Sequence, residues 1–201
     1  MITLYDFVLS GSCYKVRLLL SILKLPYKII DVDFIRKEHK AEDFLKINAF
    51  GELPVLTDGD LKLRDAQAIL SYLARKYDPL DYWYPNDPAA TGRINQWLST
   101  GGNEIMSASG ARLVRKLFYP MNLEALQARA KNAFRIMDAH LDGRDFLELG
   151  HPTIADIACF PYAAMAEEGE ISLAPYPNLR TWIGRMKRIP GFIEMPGICL
   201  K

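Results

Sequence analysis

Residues 2–20 of the chain read ITLYDFVLSGSCYKVRLLL, and this stretch decides the fold. Apolar and β-branched residues dominate from Ile2 to Val8, which predicts a strand. From Tyr14 onward apolar residues recur at helical spacing until Pro26, which predicts a helix. The segment Ser10-Gly11-Ser12-Cys13 therefore lies at a strand-to-helix turn.

Such a turn can stabilise an anion. The first backbone N–H groups of a helix have no partner within the helix, and the helix dipole stabilises a nearby anion by about 0.3–1 kcal/mol. A hydroxyl of Ser10 or Ser12 adds a hydrogen bond, so a thiolate bound there is stabilised. The alternative is structural: Ser10 caps the helix and Cys13 is a small buried residue.

The composition narrows the class of protein. The chain has 201 residues with 25 Lys and Arg against 24 Asp and Glu, so its net charge of +1 attracts neither nucleic acid nor an anionic membrane. Three widely spaced cysteines, Cys13, Cys159 and Cys199, indicate neither a metal site nor a disulfide framework. No signal peptide and no run of about 18 apolar residues is found, so we expect a cytoplasmic protein with no membrane partner.

The hydrophobic pattern divides the chain into two domains. Up to Tyr77 it reads β-α-β-α-β-β-α, with an Asp-Gly-Asp turn joining the last two strands as a hairpin. A segment rich in Pro and Asp follows, and everything beyond it accepts helical spacing. We predict an α/β domain at 1–78, a linker at 79–87 and an all-α domain at 88–201. Three glycines are expected to bend or break its first long helix: Gly101, Gly102 and Gly110.

Leu53-Pro54 precedes the hairpin. Proline cannot donate a hydrogen bond to a β-ladder, so Pro54 belongs at a strand start or at a sheet edge. A cis peptide bond would expose the backbone of Leu53, and an extended peptide could then pair with it as an added strand. The alternative is a trans proline that simply begins the strand.

Three polar residues are candidates for contacts with the ends of a ligand. Asp65 precedes the last helix of the first domain, where it either caps that helix or receives an ammonium group. His39 and Lys40 lie in a polar loop, where they either donate to a carboxylate or are simply solvated.

Five short motifs follow one another along the chain, and their order and spacing are specific. They are Ser10 to Arg17, Glu38 to Lys40, Asn48 to Leu56, Asp65 to Leu70, and Thr153 to Asp156. Together they resemble the cytosolic glutathione transferases over nearly the whole chain. The resemblance implies a thioredoxin-like N-terminal domain that holds glutathione and an all-helical C-terminal domain with a hydrophobic co-substrate pocket. It also implies a homodimer, for which Phe50 is a candidate interface residue.

The resemblance assigns a role to the strand-to-helix turn. Ser10 matches the serine that members resembling the theta, phi and zeta classes use to hydrogen-bond the glutathione sulfur. Ser12 and Cys13 are neighbours that could share or modify this role, and Tyr5 is a more distant alternative because other classes use a tyrosine of the first strand. A hydroxyl that donates to sulfur favours the thiolate, which then attacks an electrophile.

The resemblance also assigns the rest of the glutathione site. His39 and Lys40 match residues that hold the glycine carboxylate. Leu53, before a cis Pro54, matches the residue whose backbone pairs with the cysteinyl part of glutathione.

The γ-glutamyl end is where the chain departs from the family's pattern. Asp65 and Ala66 match the pair that takes this end, but Ala66 lacks the hydroxyl of the usual serine. Glu52 replaces a common glutamine, so an acceptor-only carboxylate stands where an amide could donate. Because one lost hydrogen bond costs about 0.5–1.5 kcal/mol, we expect glutathione binding to be weakened, by about tenfold or more.

The resemblance therefore implies an enzyme of detoxification that conjugates glutathione to a small hydrophobic electrophile. Met106, Arg112 and Tyr119 are candidate residues of the electrophile pocket. One alternative is a glutathione-dependent thiol or peroxide reductase in which Cys13 forms a mixed disulfide. Another is a non-catalytic protein that keeps the fold for partner binding, which the two departures would suit.

Overall fold

The computed structural model describes residues 1–197, so Cys199 and the end of the predicted helical domain lie outside the described residues. The N-terminal part contains a four-stranded sheet of β1 (Ile2–Asp6), β2 (Tyr27–Asp31), β3 (Val55–Asp58) and β4 (Leu61–Arg64), in the spatial order β2-β1-β3-β4. β1 is parallel to β2 and antiparallel to β3, and β3 forms the predicted hairpin with β4.

Three helices complete this thioredoxin-like domain, and they confirm the predicted order of elements. They are α1 (Gly11–Ile22), α2 (Glu42–Ile47) and α3 (Ala66–Tyr77). A single 3₁₀ turn at Glu38–Lys40 precedes α2. Because α1 follows β1 directly, the sequence at this turn lies at one end of the sheet.

The second domain is helical, and no strand follows β4 in the part of the chain that the structure describes. Its helices are α4 (Pro88–Gly102), α5 (Met106–Leu117), α6 (Leu123–His140), α7 (Ile154–Ala164) and α8 (Pro177–Met186). The predicted long first helix is broken directly after Gly101 and Gly102. Gly110 does not break it: this residue lies inside α5, where a Cβ would come within 2.9 Å of the Leu126 side chain. Gly110 therefore serves close helix packing, and the expectation of a break there is wrong.

α7 lies at the centre of the molecule, against α1 and α4. Thr153 and Asp156 form a capping box at its N-terminus. The buried Asp156 carboxylate also accepts hydrogen bonds from the Leu147 amide at 3.0 Å and from Trp182 Nε1 at 2.8 Å. These bonds join the start of α7 to the preceding loop and to α8.

α1 is buried between the two domains, since it packs against α3 on one side and α7 on the other. Lys15 is therefore as fully buried as Leu18. The segment after α8 returns to this helix, where Ser21 Oγ donates to the Gly191 carbonyl at 2.8 Å. Among the helices of residues 1–197, none is long and apolar enough to cross a membrane.

Candidate active site

Ser10 is the N-cap residue of α1. Its Oγ accepts a hydrogen bond from the Cys13 amide at 3.3 Å, and its own amide donates to the Phe7 carbonyl at 2.8 Å. Ser10 is half-buried, and the first turn of α1 holds no acidic residue that would offset the helix dipole. An anion beside Ser10 would therefore meet a hydroxyl and the positive end of a helix.

The other two candidates at this turn have different surroundings. Ser12 Oγ lies 2.7 Å from the hydroxyl of Tyr162 on α7, so this side chain is engaged across the domain boundary. Cys13 is fully buried, and burial raises the pKa of its thiol to about 12, with the Asp6 carboxylate adding to the shift. A thiolate at Cys13 is thus disfavoured at neutral pH, which argues against the reductase alternative.

The loop before β3 is ordered by a buried amide. Asn48 Nδ2 donates to the Glu52 carbonyl at 2.9 Å, and Asn48 Oδ1 accepts from the Phe50 amide at 3.1 Å. The Leu53–Pro54 bond that follows is cis, as the resemblance implied. Among residues 1–197, no protein group is hydrogen-bonded to the backbone of Leu53. An extended ligand could therefore pair with it.

Gly51 brings the segment of His39 and Lys40 against this loop. Its φ is +57°, and a Cβ added there would lie 2.6 Å from the His39 carbonyl oxygen and 2.8 Å from Lys40 Cδ. Lys40 Nζ donates to the Phe50 carbonyl at 3.0 Å. The structure thus joins the Lys40 ammonium group to the loop that carries Leu53.

His39 is buried, so the alternative of a solvated loop residue is wrong for this side chain. It is 5% exposed, and its ring stacks on Phe34 with centroids 4.3 Å apart. Its Nδ1 is buried without a hydrogen-bond partner among the described residues. Burial, followed by the charges of Lys40 and Lys37, lowers the pKa of the imidazole. His39 is therefore neutral at neutral pH, and it meets an anion only as an N–H donor.

The residues expected at the γ-glutamyl end lie at the start of α3. Asp65 is exposed and caps α3, because its Oδ1 accepts from the amides of Gln67 and Ala68, both at 3.0 Å. The predicted cap is thus confirmed. Ala66 is only 3% exposed, whereas Glu52 is exposed.

The crevice that Arg112 lines includes neither of the other two candidate residues of the electrophile pocket, Met106 and Tyr119. Arg112 is buried and lines a crevice between the domains, next to Gly11. Tyr119 stacks loosely on Phe34, with centroids 6.0 Å apart. Met106 is 46% exposed at the start of α5.

Residues outside the Ser10–Cys13 turn differ in how they relate to the predicted site. Tyr5, the distant alternative to Ser10, packs edge-on against Phe44 in a small core cluster. Phe34 and Tyr162 were not predicted as site residues, although both contact predicted ones. Phe34 stands in the same loop as His39, but no periodic signal marks it. Tyr162 belongs to a helix whose residues nearly all read as core.

The N-terminal domain has a thioredoxin-like sheet, a capped helix N-terminus and a cis-proline loop, and a helical domain follows it. The chain is therefore a two-domain protein with a thioredoxin-like fold. Models of the glutathione S-transferase N-terminal and C-terminal domains match residues 1–75 and 120–185. Human glutathione S-transferase theta-2 is 31% identical over 183 residues, which cover 83% of this chain and 72% of the relative.

A second relative and a solved structure extend the match over nearly the whole chain. Human glutathione S-transferase theta-1 is 29% identical in an alignment that covers 98% of this chain and 88% of the relative. The structure of glutathione S-transferase from Pseudomonas fluorescens is 29% identical, with a TM-score of 0.89 and coverage of 96% of this chain and 98% of that chain. The chain therefore belongs to the glutathione S-transferase superfamily. The enzyme class predicted from the motifs is confirmed at this level.

Proposed function

We propose that this protein conjugates the thiolate of glutathione to a hydrophobic electrophile and that Ser10 stabilises the thiolate. The position of Ser10 carries this proposal, because its hydroxyl lies at the positive end of α1, whose first turn contains no acidic residue. The free backbone of Leu53 supports it, since a cysteinyl group paired there would be held as an added strand. In the reaction the glutathione thiol releases its proton to solvent, and the thiolate sulfur forms a bond to the electrophilic carbon. With chlorodinitrobenzene the C–Cl bond breaks and chloride leaves with its electron pair.

The charges of the site suit the two ends of glutathione. Lys40 is an exposed cation for the glycine carboxylate, and Asp65 is an exposed anion for the α-ammonium group of the γ-glutamyl end. Asp65 can take this role while it caps α3, because only its Oδ1 is used by the two backbone amides. The exposed Glu52 adds a negative charge near the same ligand, which is anionic overall.

Replacing each serine of the turn separately tests the role of Ser10. We expect Ser10→Ala to lower kcat/KM for glutathione and chlorodinitrobenzene about 100-fold, because a hydrogen-bond donor to the developing anion is lost. Ser12→Ala is the matched control, since its hydroxyl is bonded to Tyr162. Equal activity of the wild type and Ser10→Ala would refute the assignment.

A thermal-shift titration with glutathione tests binding directly. A ligand that binds only the native state raises its melting temperature by mass action. Asp65→Asn keeps a capping side chain but removes the charge, so we expect it to weaken the ligand-induced shift. Asp60→Asn, an exposed residue of the β3–β4 turn, is the control. No shift in the wild type at millimolar glutathione would favour the non-catalytic alternative.

The proposal also covers the oligomeric state, the cellular compartment and the biological role of the protein. We infer a cytoplasmic homodimer with a role in detoxification. Phe50 supports the dimer because 59% of this large apolar residue is exposed, with the Arg64 guanidinium 3.8 Å above its ring. Sedimentation of Phe50→Ala as a monomer would agree with an interface there, and an unchanged dimer would exclude it.

A further inference from the structure

The loop between β1 and α1 accepts hydrogen bonds from arginines of two different helices. Arg17 of α1 donates from Nη2 to the Val8 carbonyl at 2.7 Å. Arg112 of α5 donates from Nη1 to the next carbonyl, that of Leu9, also at 2.7 Å. Because the Leu9 carbonyl belongs to the peptide unit that leads into Ser10, the Arg112 guanidinium lies one peptide unit from the N-cap of α1.

Arg112 is only partly satisfied in this position. It is 3% exposed, and its Nε donates to the Glu168 carboxylate in the 3₁₀ segment Ala166–Gly169. Its Nη2 is buried and has no hydrogen-bond partner among residues 1–197. The surrounding crevice, lined by Gly11 and Tyr162 among others, is too narrow for a water molecule. A buried charged N–H group without a partner is costly and calls for an explanation.

We propose that Arg112 is a positioning residue of the helical domain, which fixes Ser10 through the Leu9 carbonyl and places a positive charge beside the glutathione thiolate. The inference rests on the proposed function, since it requires glutathione to bind at Ser10. Its physical basis is that a cation near an anion in a water-poor site stabilises that anion far more than in bulk water.

Other charged and titratable groups surround the turn, and these residues, apart from Glu168, must stay unchanged in the variants that test the role of Arg112. On the sheet and α1, the Asp6 carboxylate lies 3.6 Å from Arg17. From α7, Tyr162 contacts the turn, and from the 3₁₀ segment Glu168 faces Arg112. Cys13, Tyr14 and Lys15 are further titratable groups buried on α1. Neither Arg112 nor Glu168 belongs to α1, so both can be substituted while the sequence of α1 is kept unchanged.

The chain offers a matched control on the same helix. Arg115 lies one turn further along α5 and forms an exposed ion pair with Glu170, close in sequence to Glu168. Both arginines thus pair with a glutamate at or next to the same 3₁₀ segment, but the bond to the Leu9 carbonyl belongs to Arg112. Arg115→Gln removes a comparable charge and ion pair without the contact to the Ser10 turn.

The experiment measures the pKa of the bound glutathione thiol from the pH dependence of thiolate absorbance, with affinity from calorimetry. We expect Arg112→Gln to raise this pKa by about one unit, which is a tenfold loss of thiolate at a fixed lower pH. Arg112→Lys keeps the charge and should recover most of the loss. Glu168→Gln removes the opposing charge and should lower the thiol pKa, whereas Arg115→Gln should leave it unchanged.

Opposite shifts for Arg112→Gln and Glu168→Gln distinguish an electrostatic role from a structural one, since disrupted packing would move both in the same direction. The inference is overturned if the thiol titrates alike in the wild type and Arg112→Gln, or if Arg115→Gln shifts it equally. If Arg112→Gln does not fold, a thiol pKa in Glu168→Gln that is not below the wild-type value overturns it. Wild-type protein that binds no glutathione would refute the proposed function and this inference with it.

Discussion

The hydroxyl groups of Ser12 and Tyr162 lie 2.7 Å apart and form a hydrogen bond between α1 and α7. Tyr162 also packs its ring against Gly11, where an added Cβ would lie 2.4 Å from the ring. Burial raises the pKa of the Tyr162 hydroxyl to about 12, so it stays protonated at neutral pH. The turn that carries Ser10 is therefore attached to the helical domain by a neutral hydrogen bond as well as by Arg112.

A double-mutant cycle measures this attachment. We expect Ser12→Ala and Tyr162→Phe each to lower the free energy of unfolding, because each leaves a polar partner unsatisfied. The coupling energy between them should be about 0.5–1.5 kcal/mol, determined by urea denaturation of the four proteins. A coupling energy near zero would mean that the bond contributes nothing to domain association.

Cys13 should be chemically inert in the native protein. Its thiol is fully buried, and its pKa of about 12 leaves almost no thiolate at pH 8. Iodoacetamide at this pH should therefore label Cys13 slowly in the folded protein and rapidly in urea, as followed by peptide mass spectrometry. Conjugation activity should survive Cys13→Ala, and rapid native labelling would revive the reductase alternative.

Much of the fold could be predicted because local patterns determine it. The apolar and β-branched residues of β1, the helical spacing in α1 and the cap at Asp65 each depend on residues close together in sequence. The contacts of the site were harder to predict from the sequence, because the partners of its residues come from distant segments of the chain. Ser12 is bonded to Tyr162, 150 positions away, and no local pattern indicates such a contact.

The burial of His39 illustrates the same limit. Its polar neighbours in the sequence predict a solvated loop, but the ring of Phe34 covers it in the folded chain. Gly110 fails for a related reason. Its weak helix propensity suggested a bend or a break, whereas α5 continues through it at a close contact with Leu126.

Lys15 should make the stability of the protein depend on pH. It is fully buried, with its Nζ bonded to the Gly101 carbonyl at 3.2 Å and lying 4.1 Å from the Tyr162 ring centre. Burial lowers the pKa of this ammonium group to about 8. The unfolded chain then binds more protons than the native protein between about pH 8 and the ordinary lysine pKa, so this residue's contribution to stability rises with pH in that window.

The variant Lys15→Met isolates this effect. We expect the free energy of unfolding of the wild type, relative to that of Lys15→Met, to increase by about 2 kcal/mol from pH 7 to pH 10. Lys187→Met changes an exposed lysine paired with Glu194 and should show no such trend. Urea denaturation at several pH values provides the measurement, and parallel pH profiles for the wild type and Lys15→Met would contradict the buried charge.

Alanine substitutions at Gly51 and Gly59 distinguish the cost of backbone strain from a change in the geometry of the site. Both have positive φ, +57° and +60°, so alanine at either position meets a similar conformational cost of about 1–2 kcal/mol. A Cβ at Gly59 has nothing within 4 Å, whereas one at Gly51 would lie 2.6 Å from the His39 carbonyl oxygen.

We expect both variants to melt at lower temperature, but only Gly51→Ala to move the segment of His39 and Lys40 away from Leu53. Calorimetry should therefore show glutathione affinity reduced about tenfold in Gly51→Ala, the loss of about one charge-assisted hydrogen bond, and unchanged in Gly59→Ala. Equal affinities in the two variants would mean that the His39–Lys40 segment does not contribute to glutathione binding. The glycine carboxylate would then be bound by other residues.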